Sequence, residues 1–244
     1  MQIQDANKLL TYENAALFIR WLDAIRAVNS EVSVQFKESG LYVNILDPTH
    51  TLHLETHFDK RWFREYRKAV DHIDADLDAL LRELGRGSRY ESISVVAEGG
   101  RYYVVMGGKT VEIKPGHPGE GIEVRSEVVA RFKVDVLKLK RFVDAADHLS
   151  DIGYDAIRIE VGDGVTLRMQ IDGGELYKRF DVESEGSASA MYSVDLIKLP
   201  LDSIYKLFNR DTNVVCAIRR GRVMSIHAEG HGIRLSYNIA PRVE

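Results

Sequence analysis

The sequence predicts an α+β fold made of two copies of one domain, each an antiparallel sheet with helices packed on one face. Three observations lead there. Similar segments recur in one order along the chain, the strand-forming segments alternate with period two, and four stretches carry an apolar stripe at helical spacing.

The recurrence is ordered. "LDALLRELGR" (77–86) matches "LDSIYKLFNR" (201–210), with Arg82 opposite Lys206 and Arg86 opposite Arg210, both 124 positions apart. "RWLDAI" (20–25) matches "RFVDAA" (141–146), setting Arg20 against Arg141. "VSVQF" and "GLYVNI" (32–36, 40–45) match "IRIEV" and "GVTLRM" (157–161, 164–169), and "GKTVEI" (108–113) matches "GIRLSY" (232–237). Any one pair is weak, but coincidence explains the ordered set poorly. The densest breaker cluster, "PGHPGEG" (115–121), separates the copies. The predicted domains are 1–114 and 131–244, joined by a connector over 115–130 long enough to carry function.

Each copy reads as helix, strands, helix, strands. The first helix is predicted over 14–27, with Phe18, Trp21, Leu22 and Ile25 on one stripe. The second covers 74–84, with Leu77, Leu80, Leu81 and Leu84 inward, Asp74 or Asp76 as N-cap and Gly85 as the stop. The third (135–149) turns Leu139, Phe142, Val143 and Ala146 inward. The fourth (199–208) buries Leu201, Ile204, Leu207 and Phe208, with Pro200 in its first turn. Opposite these stripes lie Arg20 with Arg26 on its flank, Arg82 and Arg86, Arg141 and His148, and Lys206 followed by Arg210. Asp23, Asp78, Asp144 and Asp202 share the same helices, so a solvated face is the bland reading. Recurrence at matched positions favours a basic face shared by all four helices. The remaining segments, such as "SISVVAE", "RYYVVM" and "VVCAIRR", alternate as half-buried strands do. Two such domains leave strand edges that must be paired or blunted. The candidate edges are "GGKTVEIK" (107–114), with Lys109, Val111 and Ile113, and "ELYKRFDV" (175–182), with Tyr177, Arg179 and Asp181.

Composition narrows the function classes. The 244 residues carry a net charge of −4, which argues against a chain coated with cations but says nothing of local faces. Cys216 is the only cysteine, so no internal disulfide or cysteine-clustered zinc site is expected. "MQIQDANKLL" lacks the basic start and apolar core of a secretory signal, and no apolar run is long enough to span a membrane, so a cytoplasmic protein is expected. "HTLHLETH" (50–57) and "HAEGH" (227–231) invite a metal-dependent hydrolase. His53 and His57 share a strand face, however, while His50 does not, and neither segment has the His-Glu-x-x-His spacing on a helix. No nucleophile–base pair stands out. The expectation is a non-enzyme without metal or cofactor.

Four segments resemble one family. "SGLYVNILDPTHTLHLETHF" (39–58) is similar to the Gly-hydrophobic…Asp-Pro-Ser-His segment of sliding clamps, the proliferating cell nuclear antigen (PCNA) family, archaeal members especially. "WFREYRKAVDHIDADLDALLREL" (62–84) resembles the family's Phe-x-x-Tyr segment and second helix, and "FKVDVLKLKRFVDAADHLSD" (132–151) the start of its second domain. "YNIAPRVE" (237–244) is similar to the usual ending, Tyr-x-x-Ala-Pro-basic-hydrophobic-Glu. The resemblance implies a ring of three two-domain subunits, sheets outside and helices inside, encircling duplex DNA without reading its sequence. By family position the DNA-facing residues would be Arg20, Arg26, Arg82, Arg141 and Lys206, with Arg86, Lys138, Lys198 and Arg210 beside them. Leu46, His50, Ile122, Val124, Ala240, Pro241 and Arg242 would line a groove for short peptides of DNA polymerase, clamp loader, nuclease and ligase. Thr51 and His53 stand where relatives carry aliphatic groove residues, and Asp144 and Asp147 where relatives carry basic or neutral ones. A homotrimer, one subunit of a heterotrimer, and a protein scaffold without DNA all remain open.

Overall fold

A computed structural model describes residues 7–89, 91–150, 155–208 and 212–242. The chain divides into two compact units, Met1–Pro48 with Leu54–Ile122 and Gly230–Arg234, and Thr49–His53 with Glu123–Glu229 and Leu235–Glu244.

The first half contains β1 (Lys8–Tyr12), α1 (Ala15–Arg26), β2 (Glu31–Lys37), β3 (Gly40–Leu46), β4 (Leu52–Asp59), β5 (Glu65–Tyr66), β6 (His72–Asp76), α2 (Leu77–Leu84), β7 (Ile93–Glu98), β8 (Arg101–Met106) and β9 (Lys109–Glu112). The second half contains β10 (Val128–Asp135), α3 (Val136–Leu149), β11 (Ala156–Gly162), β12 (Gly164–Ile171), β13 (Gly174–Phe180), β14 (Ser184–Gly186), β15 (Ala188–Ser193), α4 (Val194–Phe208), β16 (Asn213–Arg219), β17 (Met224–Gly230) and β18 (Ile233–Ile239). The strand orders are β5-β1-β7-β8-β9 and β6-β2-β3-β4 in the first half, β14-β10-β16-β17-β18 and β15-β11-β12-β13 in the second. Adding nine to every label of the first half gives the second. The weak repeat in the sequence is therefore a full duplication of topology.

The sheet edges are handled alike in both halves. β5 and β14 are only two and three residues long, too short to template another chain. β6 is met at its end by the segment after β9, where Asp76 N–H donates to Lys114 O at 3.0 Å. That segment passes so close that a Cβ on Gly116 would strike the Ala75 carbonyl. β15 is met by the segment after β18, where Arg242 N–H donates to Met191 O at 2.8 Å. The Ala-Pro-Arg hook near the C-terminus thus repeats what the connector does one domain earlier. β9 and β13 stand at the ends of their strand orders with no such cover among the described residues.

All four predicted stripes are buried, apart from Leu81, which is half-buried. α1 and α3 fall within a residue of their predicted bounds. α2 starts only at Leu77, because 72–76 pair with β2 as a strand. Asp76 caps the helix, accepting from Ala79 N–H at 2.9 Å, and Gly85 closes it at φ 68°. α4 starts at Val194, five residues before its predicted start, so Pro200 lies inside the helix rather than in its first turn. The missing proline N–H leaves the Leu196 carbonyl without its helical donor. Val194, Ile197 and Pro200 are nonetheless buried and extend the apolar stripe through the break. Burial outweighs one lost hydrogen bond.

In the first unit an aromatic cluster of Tyr12, Phe18, Trp21, Phe58 and Phe63 joins α1 to the strands. Trp21 is fully buried, and its indole N–H donates to Thr56 Oγ1 at 2.9 Å. Trp21→Ala is expected to lower unfolding stability by about 3–5 kcal/mol, whereas Trp21→Phe, which keeps the ring but orphans Thr56, loses about 1–3 kcal/mol. Urea denaturation checks both; equal losses would show that the hydrogen bond, not ring volume, dominates.

Candidate functional site

Two groups of residues were singled out by the sequence: a basic face on the helices and a groove for peptides. In the first unit the structure puts Arg20, Arg26, Arg82 and Arg86 on the exposed side, away from the buried stripes of α1 and α2. In the second, Lys138, Arg141 and Lys206 are exposed on α3 and α4, and Lys198 is half-buried. Arg210 lies outside the described residues.

Acidic neighbours answer much of this charge. Arg26 bonds Asp23 on its own helix at 2.7 Å and Asp78 on α2 at 3.3 Å. Lys198 of α4 is tied to Asp147 of α3, and Lys140 of α3 to both Asp144 (2.8 Å) and Asp202 of α4. Burial presses the Lys140 pKa down, but the two carboxylates outweigh it and raise the pKa; Asp147 raises that of Lys198. The four helices carry eight lysines and arginines against seven aspartates and glutamates. Both halves thus use the same device, a cation of one helix bridged to a carboxylate of its neighbour. Lys198 and Arg26 stand on the predicted face, but as members of ion pairs. Lys140, which the sequence did not single out, holds two carboxylates there, as Arg26 does. Its signal was the i,i+4 spacing to Asp144.

The groove residues divide between the units. In the first, Leu46 is half-buried and its carbonyl accepts from Asn29 Nδ2 at 3.1 Å. Ile122 is 43% exposed, and its carbonyl accepts from Asn44 Nδ2 of β3 at 3.0 Å, fixing the end of the connector. In the second, His50 is exposed with φ 61°, Val124 is half-buried, and Ala240 N–H donates to Thr51 O at 2.8 Å. Pro241 is half-buried, and the Arg242 guanidinium pairs with Asp155. The hook is thereby held at both ends.

His53, read as a groove position, is 2% exposed and points into the second unit. Its Nδ1 lies 2.9 Å from Asn238 Nδ2, Asn238 Oδ1 accepts from Ser225 Oγ at 2.6 Å, and Ser225 accepts from Arg219 Nε at 2.8 Å. Arg219 also donates to Ser126 O of the connector at 2.6 Å. This chain of polar side chains was invisible in sequence, since its members lie on four separate segments. His57, on the same strand, bonds Ser39 Oγ at 3.0 Å instead, and burial and Arg234 lower its pKa. Among the described residues no three His, Cys, Asp or Glu side chains are placed to hold a metal ion, and no helix is long and apolar enough to cross a membrane. Lys109, Val111 and Tyr177, Arg179 do fall on β9 and β13, with Ile113 and Asp181 just past their ends. Val111 is buried and Tyr177 is 49% exposed, with Arg168 stacked over its ring at 4.8 Å.

No family model matches the chain. It is 24% identical over 251 residues to DNA polymerase sliding clamp 1 of Pyrobaculum aerophilum, covering 98% of this chain and all of that one. It is 25% identical over 252 residues to the DNA polymerase sliding clamp of Methanosarcina acetivorans, covering 95% and 97%. In structure it matches A. fulgidus PCNA, solved with the C-terminal region of FEN-1, at a TM-score of 0.85, with 19% identity and 96% and 98% coverage. It matches a chain of the PCNA2–PCNA3 complex of Sulfolobus tokodaii at 0.78, also with 19% identity, covering 96% and 99%. The duplicated sheets with four helices are the DNA-clamp fold. Within that class its end-to-end matches support a DNA sliding clamp.

The Arg242 guanidinium holds the Asp155 carboxyl below the usual carboxylate range. A depressed pKa contributes stability that is present above the ordinary value of 3.8 and is lost as pH falls through the folded-state value. Hydrogen exchange at the Arg242 amide is therefore expected to be slow from pH 7 to 5, after correction for intrinsic rates, and to rise below pH 4. Asp155→Asn should bring the fast exchange to neutral pH. Unchanged protection in that variant would mean the hook is held by its backbone bonds alone.

Proposed function

We propose that three copies of this chain join head to tail, β9 of one against β13 of the next, into a ring that encircles duplex DNA. The ring tethers a polymerase and other DNA enzymes through the groove by the hook. The observation that carries this is the handling of sheet edges: β5 and β14 are too short, β6 and β15 are met by hooks, and β9 and β13 have no such cover among the described residues. A head-to-tail contact between two different edges generates a ring when its rotation closes. The proposed role is mechanical, retention by encirclement, with no chemistry assigned to any residue.

Ring closure changes what the helix face must do. A clamp held by topology needs only weak, sequence-independent phosphate contacts, and strong ones would impede sliding. Arg20, Arg82, Lys138, Arg141 and Lys206 supply such contacts, while Arg26 and Lys198 are spent on ion pairs. A heteromeric ring is the second reading. The S. tokodaii neighbour was solved as a complex of two different PCNA chains, and the open edges here mix Lys109 and Glu112 with Glu175, Lys178 and Arg179.

Light-scattering mass of the purified chain tests assembly: three times 27.6 kDa is expected, and a persistent monomer would point to partner chains. Arg20→Glu with Arg82→Glu and Lys206→Glu should keep that mass and abolish stimulation of a polymerase. Undiminished stimulation would leave only the scaffold reading. Asp147→Asn frees Lys198, so the salt dependence of DNA retention should steepen by about one in log–log slope.

A further inference from the structure

Apart from the residues assigned to the helix face and the groove, the first unit carries the chain's most basic stretch. Lys60–Lys68 reads "KRWFREYRK", five cations against Glu65 alone, in a protein whose net charge is −4. A 3-10 turn over Lys60–Trp62 begins it, and β5 continues it. Backbone bonds draw other segments to the same place. Asp59 N–H donates to Gly232 O at 2.8 Å, Lys60 N–H to Ser39 O at 2.9 Å, and Tyr66 OH to Lys37 O at 2.8 Å. Lys37, Lys60, Arg61, Arg64, Arg67 and Lys68, all exposed, therefore gather on one surface. Arg234 joins them through His57, which also bonds Ser39. Glu13, Glu38 and Asp59 answer part of this charge by pairing with Arg64, Lys68 and Arg61. A clear cationic excess remains.

In the middle of these cations stands Trp62, 48% exposed. Its indole is seated, not adrift. It lies against the turn joining β17 to β18, where His231 and Gly232 both take positive φ (52° and 75°). A Cβ on Gly232 would collide with the indole, so only glycine lets the ring rest there. The His231 ring meets it edge-on, with centroids 6.2 Å apart at 88°. The platform fixes the ring's orientation and leaves half of it to solvent. The chain's other tryptophan, Trp21, is fully buried.

We infer that this surface binds single-stranded nucleic acid, with an unpaired base stacked on Trp62 and flanking phosphates on the surrounding lysines and arginines. Positive charge that follows a backbone, combined with an aromatic face for bases, is the usual chemistry of sequence-tolerant single-strand binding. An acidic peptide would use the cations equally. Among the described residues, however, the surface offers the exposed Trp62 face as its one large exposed hydrophobic, which suits a flat base better than a side chain needing enclosure. The site is independent of ring closure and of the helix face, which meets duplex.

The test uses the full chain and a fluorescein-labelled oligothymidylate of twenty nucleotides at low salt, read by anisotropy, with an unlabelled copy for tryptophan quenching. Binding should quench the exposed tryptophan, and a duplex of equal length, its bases already stacked, should not. Trp62→Ala should weaken binding by about fivefold or more, and Trp62→Phe should restore most of it. Lys60→Glu with Lys68→Glu should weaken it further and reduce the log–log salt slope by ~1.4, at ~0.7 per phosphate contact. Circular dichroism confirms that these surface variants fold. The inference falls if the oligonucleotide does not bind, or if binding ignores both sets of variants. It falls equally if the duplex quenches as strongly, or if the loss follows Arg20→Glu with Arg82→Glu instead, which would return the binding to the helices. A polyglutamate that binds as tightly and quenches as strongly would reassign the surface to acidic peptides.

Discussion

A strand at the edge of a sheet exposes a row of N–H and C=O groups, and a protein must cover, shorten or use it. That constraint organises this molecule. Each half lays out nine strands in two runs, and across the two halves six of these strands stand at sheet edges that have to be dealt with. Brevity deals with β5 and β14. A hook of chain deals with β6 and β15, since the segment after the last strand of each half comes back across the preceding edge. Pro241 suits the second hook because it fixes φ near −65° and brings no N–H that would seek a further strand partner. The two edges left open are on different strands of different sequence, so a copy cannot satisfy them by two-fold pairing of one patch with itself.

The helices follow from the same sheets. Each pair covers the apolar face of its own half, and the stripes are buried almost completely, so only the opposite faces of the helices remain to meet anything else. On those faces charge is nearly balanced by the carboxylates of Asp23, Asp78, Asp144, Asp147 and Asp202. Exposed ion pairs contribute little to stability. Their consequence here is electrostatic: they hold down the field along the helices. A modest field lets a polyanion move along such a face, whereas a dense one would pin it.

Much of this was legible in sequence, for a physical reason. The stripes of α1 and α3 and the caps Asp76 and Gly85 are local signals, and local signals survive whatever the fold does around them. The duplication was legible because order along the chain is itself a sequence property. What failed was either tertiary or ambiguous. Pro200 read as a first-turn residue because a proline deeper in a helix is costly, yet burial of Val194 and Ile197 carries the helix through it. His53 read as a groove residue because the resembled family carries a groove aliphatic at that position. Its burial depends on Asn238, Ser225 and Arg219, which sequence places 185, 172 and 166 positions away. The bridge from Lys198 to Asp147 spans 51 positions and two helices, beyond any periodicity.

The polar chain from His53 to Arg219 bears on the hook as well. Arg219 grips the connector at Ser126 O, and Asn238 sits two residues before Ala240, where the hook begins. Asn238, Ser225 and His53 are all nearly or fully buried, so none of these groups can drop its partner without leaving an unsatisfied polar atom in the interior, a loss of about 1–3 kcal/mol each. An aliphatic residue at position 53 would pack but would not tie. The histidine therefore couples connector and hook through directional bonds, where a purely apolar floor would let the two shift independently. In the second unit the position of the hook is set by buried hydrogen bonds as much as by the residues packed around it.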